Sequence, residues 1–539
     1  MTDALTDPGD GEIDLETARS LAAGLQRLVR TAGERITEDN AASPLVSRIC
    51  GHVGVAFHDL VMVGQEYRSW EHACLQRGLD AYLAAHTPGA EWFGIAGTER
   101  HYENLSAMIG AAVMLGTYTL GRPEYGTAAV GPEESIEVVE LGLVPTTAPD
   151  GSPVVLGVLT RESYEAMCVL NVFARDRATA AAVRDEVDRL RREHDVMRGQ
   201  VLGFGASEYH ENALVSFLPR PHLAASEVVL PDGRLEAVEA HVVGIAEHAE
   251  RLLAAGQHLK RGLLLYGPPG TGKTHTVRYL MGRLLGATVI QLTGPAMRFL
   301  GQAVALARSL QPAVVIVEDV DLVAEDRDLV DDGTNPLLFS LLDAMDGISG
   351  DADVVFVLTT NRVEMLERAL AERPGRIDLA VEIPRPDLEG RVGLLRLYGR
   401  ELRLDADLAE VAARTEGVTA SFIKELVRRA VLIALREGAA LREGAALREG
   451  AALREGAALR EGAALREGAA LREGAALREG PAPGAPERLT DAHFGAAVDE
   501  MFDPAQSLTR GLLGAARGSG EPDEFDGVFL EDDGDDEEG

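Results

Sequence analysis

The clearest chemical signal in the chain is a glycine-rich run between an apolar stretch and a helical stretch. The run reads Gly267-Pro268-Pro269-Gly270-Thr271-Gly272-Lys273-Thr274, followed by His275. It matches the pattern G-x-x-x-x-G-K-[ST], in which glycines let backbone N–H groups converge on phosphate oxygens, the lysine adds a positive charge and the last hydroxyl ligates Mg²⁺. Residues 267–275 are therefore predicted to hold the phosphates of a nucleotide, with Lys273 acting on the phosphates and Thr274 on the metal.

Two adjacent carboxylates follow a second apolar stretch. Val314–Val317 is continuously apolar and leads directly into Glu318 and Asp319. A strand that ends in two acids beside a phosphate loop is the Walker B pattern, in which one acid holds the hydration shell of Mg²⁺ and the next polarises the attacking water. We therefore expect Glu318 to serve the metal and Asp319 to act in catalysis, with ATP and Mg²⁺ as cofactors.

Short apolar runs separated by helical stretches must position these residues. The runs are Leu263–Tyr266, Thr288–Leu292, Val314–Val317 and Val354–Leu358. Continuously apolar strands that alternate with helices are typical of a parallel sheet covered on both faces. The fold class predicted for residues 223–385 is therefore α/β, with a parallel sheet of the P-loop NTPase kind.

The segment from about Leu235 to Asp387 resembles the AAA family in its narrow sense, within the AAA+ ring ATPases. The glycine-rich run with Tyr266 before it carries the likeness, and Thr359-Thr360-Asn361-Arg362 is similar to the end of the sensor 1 strand. By that likeness, Asn361 contacts the γ-phosphate and the lytic water.

Residues 369–378, which read ALAERPGRID, are similar to the second region of homology of that family. The likeness implies that Arg373 and Arg376 are arginine fingers that reach the site of a neighbouring protomer. It therefore implies an oligomer, which we expect to be a homo-hexamer. A guanidinium directed at the γ-phosphate offsets transition-state charge and can contribute ~10³–10⁵ in rate.

Arg298-Phe299-Leu300-Gly301 resembles the pore loop with which protein-threading members of the family grip a polypeptide. The likeness implies that Phe299 and Leu300 contact a protein substrate, and the alternative is a Phe-Leu pair in the core. Two features depart from the family pattern. Glu318 and Asp319 reverse the usual order of the two acids, and the segment between Gly301 and Pro312 is shorter than usual.

The rest of the chain is predicted to surround this ATPase segment with smaller units. We expect residues 1–130 to be mostly helical, 131–222 to form a small α+β domain, 386–503 to form a helical lid, and 504–539 to be a disordered acidic tail. A hexapeptide repeat, Leu-Arg-Glu-Gly-Ala-Ala, occupies residues 435–480 within the lid. Its leucines fall on three faces of a helix, so it predicts no coiled coil. We interpret it as an insertion that a lid loop tolerates, and the alternative is a spacer with a role of its own.

Composition narrows the classes of partner. The 539 residues include 52 Lys and Arg and 87 Asp and Glu, which gives a net charge of −35. Such a surface repels phosphodiester backbones and anionic lipid, which argues against nucleic-acid and membrane partners. The first twenty residues lack the pattern of a secretory signal, and three cysteines cannot build a disulfide framework. We therefore expect a cytoplasmic protein.

The sequence as a whole predicts an ATP- and Mg²⁺-dependent AAA ATPase that remodels or unfolds a protein client of unknown identity. The first alternative is a switch or assembly scaffold that binds ATP and hydrolyses little. The reversed acids favour this alternative, whereas Asn361, Arg373 and Arg376 oppose it. The second alternative is a DNA-directed machine, which the net charge opposes.

Overall fold

The computed structural model describes most of the chain. The described residues are 15–41, 43–98, 104–161, 167–206, 213–321, 341, 343–363, 376–437 and 488–503, with single residues at 506, 509, 511 and 513. Arg373, the repeat beyond residue 437 and the acidic tail beyond residue 513 lie outside them. The chain divides into two compact units, one of Met1–Arg220 with Gly286–Val315 and the other of Pro221–Leu285 with Ile316–Gly539.

Helices and strands alternate through both units. The helices are α1 (Leu15–Ala41), α2 (Pro44–Val53), α3 (His72–His86), α4 (Leu105–Leu115), α5 (Arg177–Glu193), α6 (Arg234–Glu239), α7 (Ile245–Glu247), α8 (Ala249–Ala254), α9 (Lys273–Arg283), α10 (Leu300–Ser309), α11 (Leu388–Tyr398), α12 (Leu408–Ala413), α13 (420–437) and α14 (Asp491–Phe502). The strands are β1 (Val61–Arg68), β2 (Gly94–Ala96), β3 (Thr119–Gly121), β4 (Glu124–Ala129), β5 (Ser135–Thr147), β6 (Pro153–Arg161), β7 (Met167–Ala174), β8 (Val201–Ala206), β9 (Ala213–Leu218), β10 (Arg261–Tyr266), β11 (Thr288–Leu292), β12 (Ala313–Val317), β13 (Val354–Thr360), β14 (Leu379–Glu382), β15 (Leu404–Asp405) and β16 (Leu489–Thr490).

The first unit contains a five-stranded antiparallel sheet with helices on both faces. Its strand order is β1-β7-β6-β5-β4. Side chains that alternate along β6 enter two cores: Leu156 and Val158 pack with α3 and α5, and Val155 and Leu159 pack with α2 and α4. This alternation is the period of two expected for a strand. The domain boundary at residue 130 stays a prediction, and residues from both sides of it share these two cores.

A second set of strands in the first unit joins distant parts of the sequence. β8 pairs antiparallel with β9, with Val201 opposite Leu218, and it pairs parallel with β11, where Val289 faces Val201. Residues 201–218 belong to the predicted small α+β domain, and residues 288–292 belong to the predicted ATPase segment. The pairing therefore links these two predicted regions by backbone hydrogen bonds.

The second unit contains the parallel strands that position the site. β10 lies between β13 and β14 and is parallel to both, with Arg261 opposite Val355 and Leu263 opposite Leu379. β13 is buried along its entire length, and so is β12. Strands buried on both faces are continuously apolar, as predicted. The expected α/β class is confirmed for this segment.

The helices after β14 form the lid. Leu395, Phe422, Ile423 and Phe494 belong to a single buried cluster drawn from α11, α13 and α14. The chain therefore returns to one core after the repeat, and His493 Nε2 lies 2.9 Å from Glu437 Oε2. None of the helices in the described ranges is long and apolar enough to cross a membrane.

Candidate functional site

The glycine-rich run forms the turn between β10 and α9. Gly267 has a φ of 141°, and a Cβ at that position would lie 2.3 Å from the carbonyl oxygen of Ile383. Only glycine fits this approach, because the neighbouring backbone is fixed by the Ile383 N–H, which donates to the Tyr266 carbonyl at 2.7 Å. The first N–H groups of α9 have no acceptor within the helix, so the turn ends at a place suited to an anion.

Lys273, the first residue of α9, is turned into the loop. Its Nζ donates to the carbonyl oxygens of Gly267 at 2.7 Å and Pro268 at 2.9 Å, and the residue is 6% exposed. Burial lowers the pKa of Lys273 to about 8, although the carboxylates of Asp319 and Asp321 act in the opposite direction. The amine therefore occupies a poorly solvated position in which phosphate oxygens are better partners than the loop's own carbonyls.

The other predicted phosphate-binding residues lie along the same turn, and they differ in exposure and in hydrogen-bond partners. Thr271 Oγ1 donates to the Pro268 carbonyl at 2.9 Å, Pro269 is exposed, and Thr274 is exposed in the first turn of α9. His275 Nε2 donates to the Glu227 carbonyl at 2.9 Å. This hydrogen bond joins the first turn of α9 to the segment that precedes α6. The position of His275 next to the glycine-rich run does not predict the contact.

The two Walker B acids follow β12 in different environments. Glu318 is 7% exposed, whereas Asp319 is only partly buried and has a φ of 52°. Aspartate is among the few non-glycine residues that adopt this left-handed conformation readily. The Asp319 N–H donates to Thr359 Oγ1 at 2.9 Å, and the Val320 N–H donates to the Thr359 carbonyl at 3.0 Å. These bonds tie the loop after β12 to the end of β13.

The carboxylate of Asp319 has the electrostatics of a candidate base. Burial raises its pKa, and the negative charge of Asp321 raises it further, whereas Lys273 and the amide of Asn361 act in the opposite direction. A carboxylate with a raised pKa holds a proton more readily, which suits it to take one from water.

Asn361 lies between two carboxylates just after β13. Its Nδ2 is 3.4 Å from Asp319 Oδ1 and 3.4 Å from Asp321 Oδ2. The backbone N–H of Asn361 and the hydroxyl of Thr360 both donate to Asp321 Oδ1, at 3.0 and 2.9 Å. The structure thus brings together Asn361, Asp319 and the amine of Lys273. Asp321, which the sequence analysis does not place in the site, is 6% exposed and central to these contacts.

The predicted finger Arg376 is bonded within its own chain. Its Nε donates to Asp346 Oδ1 at 2.8 Å, and its guanidinium and that carboxylate form an ion pair. The backbone around it is held against β10, because the Gly262 N–H donates to Asp378 Oδ2 at 2.9 Å. A Cβ on Gly262 would lie 2.1 Å from the carbonyl oxygen of Arg376. The role of Arg376 in a neighbouring protomer stays a prediction.

A small cleft lies beside the phosphate loop. Val229, Leu230, Thr271, Asp387 and the lid residue Ala420 are among the residues that line it. The lid is attached to the loop at this point, since the Ser421 N–H donates to the Gly270 carbonyl at 3.0 Å.

The two residues of the predicted pore loop are buried. Phe299 is 8% exposed at the end of a short 3₁₀ segment, Gly294–Phe299, and Leu300 is 5% exposed at the start of α10. The 3₁₀ segment packs against β8, and the guanidinium of Arg298 lies 4.9 Å from the centre of the Phe299 ring. A side chain that grips a polypeptide must be accessible, so this burial favours the core alternative.

The donor set for a metal consists of one hydroxyl and one carboxylate. Among the described residues, no group of three or more His, Cys, Asp or Glu side chains is arranged to hold a metal ion. Mg²⁺ that binds with a nucleotide takes most of its ligands from phosphate and water, and one or two protein donors are sufficient. Thr274 at the start of α9 and Glu318 at the end of β12 are of the right chemistry for this ion.

Comparisons with known proteins agree with this geometry. Residues 263–385 match the family model of the ATPase family associated with various cellular activities (AAA), and residues 405–449 match the AAA+ lid domain.

An ATP-dependent zinc metalloprotease FtsH from Synechococcus sp. is 33% identical over 263 residues, which are 46% of this chain and 40% of the relative. A proteasome-activating nucleotidase from Methanosphaerula palustris is 33% identical over 190 residues, 33% of this chain and 46% of the relative. One from Pyrococcus abyssi is 30% identical over 235 residues, 41% of this chain and 59% of the relative. The chain thus spans between 40% and 59% of the length of these relatives.

Proposed function

We propose that this chain, an AAA ATPase by its ATPase domain at residues 263–385 and its lid at residues 405–449, works as a homo-hexameric ring that remodels or unfolds a protein client. The observation that carries the hydrolytic part is the cluster of Lys273, Asp319 and Asn361 at the ends of β10, β12 and β13. Three groups of the types that phosphoryl transfer requires converge there.

Each side chain has a distinct part in hydrolysis. Lys273 exchanges the carbonyl oxygens of Gly267 and Pro268 for phosphate oxygens, and the backbone N–H groups of the turn complete the phosphate cradle. Asp319 takes a proton from the attacking water, whose oxygen bonds to the γ-phosphorus while the bond to the bridging oxygen of ADP breaks. Asn361 orients that water and the γ-phosphate. Thr274 and Glu318 would hold Mg²⁺, which would supply positive charge against the phosphate oxygens.

The ring follows from the predicted fingers. Arg376 is bonded to Asp346 rather than to the loop at residues 267–275, and the resemblance to the family directs Arg373 and Arg376 towards a neighbouring protomer. A site that obtains its arginine from the next protomer is complete only in an assembly. Three unpaired thiols, Cys50, Cys74 and Cys168, support a cytoplasmic location.

The relatives' names are the basis for proposing that the client is a protein. The names of the relatives describe ATP-dependent proteolysis and activation of a proteasome, and both activities act on protein chains. The sequence of this chain contains no H-E-x-x-H motif. We therefore extend to this chain only action on a protein substrate.

A subunit-mixing experiment tests hydrolysis and assembly together. Arg376→Ala keeps its own phosphate loop and Asp319, whereas Asp319→Asn keeps its arginines. Each variant alone is expected to release phosphate from ATP at a small fraction of the wild-type rate, and an equimolar mixture is expected to recover part of it at mixed interfaces. Arg308→Ala, an exposed arginine on α10, is the matched control and keeps the wild-type rate. Full activity of Arg376→Ala alone would contradict the proposal.

The second candidate function is a nucleotide-gated switch that hydrolyses little, and the burial of Phe299 favours it. The two functions differ in their response to a protein client. If the ring remodels a protein client, an unfolded model substrate such as reduced casein is expected to stimulate ATP turnover in the wild type above the rate with ATP alone. Turnover that is negligible with and without substrate would support the switch.

A further inference from the structure

Asp321 is the buried carboxylate that connects the loop after β12 to the end of β13. Its Oδ1 accepts from the Thr360 hydroxyl at 2.9 Å and from the Asn361 N–H at 3.0 Å, and its Oδ2 lies 3.4 Å from Asn361 Nδ2. Asp321 is 6% exposed, and Thr360 is fully buried. A hydrogen bond to an ionised carboxylate is stronger than one between neutral groups, so the two bonds at Oδ1 hold the Thr360 side chain and the Asn361 backbone.

The third contact concerns the direction of the Asn361 side chain. Its NH₂ group faces Asp321 Oδ2 and Asp319 Oδ1 at equal distances. Two carboxylates accept only, so they permit a single orientation of the amide, with NH₂ toward the acids and Oδ1 away from them. Without the charge of Asp321 on one side, the amide loses one of the two partners that select this orientation.

We propose that Asp321 is a positioning residue for ATP hydrolysis, which holds Asn361 so that its amide is aligned with Asp319. The proposal rests on the proposed function, since it assumes that hydrolysis takes place at this site. Asp321 lies outside the phosphate loop, although its charge also acts on Lys273 and raises the pKa of that amine. Because its hydrogen bonds are to Thr360 and Asn361, the rate of the chemical step depends on it more strongly than the affinity for ATP does.

Asp321→Asn isolates the positioning effect. The substituted side chain has the same size and keeps an Oδ1 that accepts from Thr360 and Asn361 N–H, but its NH₂ group then faces Asn361 Nδ2, donor against donor. Misplacement of a catalytic group by about 1 Å can cost ~10²-fold in rate. We expect kcat to fall by about 10- to 100-fold, while the KM for ATP and the Kd of a fluorescent ATP analogue change by a much smaller factor, which reflects the loss of the Asp321 charge near Lys273.

A double-variant cycle separates positioning from a general loss of structure. If Asp321 acts through Asn361, the double variant Asp321→Asn with Asn361→Ala has the same kcat as Asn361→Ala alone. The matched control is Asp353→Asn, at the position before the start of β13, where the carboxylate accepts from Arg261 at 2.8 Å. That change is expected to lower the thermal stability and to leave kcat unaffected, because Asp353 lies at the opposite end of the strand.

The outcomes distinguish the positioning role of Asp321 from the proposed function. A wild-type kcat in Asp321→Asn, or a double variant slower than Asn361→Ala by the full single-variant factor, would overturn the positioning role. If Asp321→Asn does not fold, Asp321→Glu replaces it. This variant keeps the charge but moves it by one methylene, and a wild-type kcat there would also overturn the role. Absence of hydrolysis in the wild type above a Lys273→Met blank would instead overturn the proposed function, and the role of Asp321 with it.

Discussion

Replacement of Lys273 by methionine has opposite effects on folding and on nucleotide binding. The amine is 6% exposed, and burial brings its pKa from 10.5 to about 8. At roughly 1.4 kcal/mol per pH unit, burial of this charge costs about 3 kcal/mol of folding free energy. Methionine removes that cost together with the hydrogen bonds to Gly267 and Pro268, which stabilise the fold by about 1 kcal/mol each. Lys273→Met is therefore expected to be about 1 kcal/mol more stable than wild type at pH 7.

The pH dependence of this difference has a definite sign. Below pH 8 the amine is charged in both the folded and the unfolded chain, so the full cost of burial is present. Between pH 8 and 10.5 the folded chain releases its proton while the unfolded chain keeps it, and the wild type gains stability relative to the variant. The stability advantage of Lys273→Met at pH 7 is thus expected to reverse by pH 10, because a gain of roughly 1.4 kcal/mol per pH unit above pH 8 exceeds it.

Nucleotide binding responds in the other direction. In the complex, the ammonium group of Lys273 donates to phosphate oxygens, and a hydrogen bond between charged groups contributes about 1.5–3 kcal/mol. The loss of two such bonds weakens ATP binding by at least about 100-fold, since roughly 1.4 kcal/mol corresponds to a factor of ten. Methionine has a side chain of similar length and keeps the apolar contacts.

Two measurements on the same samples test the predicted gain in folding stability and the predicted loss of ATP affinity. Titration of a fluorescent ATP analogue gives the affinity, and urea unfolding at pH 7 and pH 10 gives the free energy of unfolding. Lys424→Met, which removes an exposed lysine of α13, is the matched control and is expected to change neither quantity. An unchanged affinity in Lys273→Met would refute the phosphate assignment. A lower stability at pH 7 would refute the argument from the buried charge.

Three further predictions concern other parts of the chain. Deletion of residues 441–480 is expected to leave ATP hydrolysis intact, because the lid helices on both sides of the repeat share one core, and phosphate release measures this. Burial raises the pKa of Cys74 and of Cys168 to about 12, so in the folded protein iodoacetamide at pH 8 should modify only the partly buried Cys50, as peptide mass mapping will show. Burial lowers the pKa of His72, so the wild type should lose more unfolding free energy than His72→Gln as the pH falls from 7 to 5, measured in urea.

The phosphate loop was predictable from sequence because its geometry is local. Gly267 and Gly270 adopt left-handed conformations within a turn of a few residues, and Lys273 folds back onto the carbonyls of that same turn. The buried parallel strands were predictable for a related reason, since burial on both faces makes each run continuously apolar. Asn361 was placed by family resemblance, and the structure puts it beside Asp319.

Contacts between segments far apart in sequence were not predictable. Asp321 and Asn361 meet because β12 and β13 end close together, and no spacing rule within one segment indicates that contact. The same holds for the ion pair between Arg376 and Asp346 and for the pairing of β8 with β11. The buried Phe299 ends a 3₁₀ segment that packs against β8, so a motif that resembles a pore loop in sequence lies against a strand from a distant segment.

Steady-state phosphate release measured against protein concentration is the most direct test of the proposal that assembly completes the ATPase site. Lys273→Met serves as the blank. We predict that the rate per chain rises with concentration and then levels off once the ring has formed. A rate per chain that is constant from the most dilute sample upwards, or one that never exceeds the blank, would contradict the proposed mechanism.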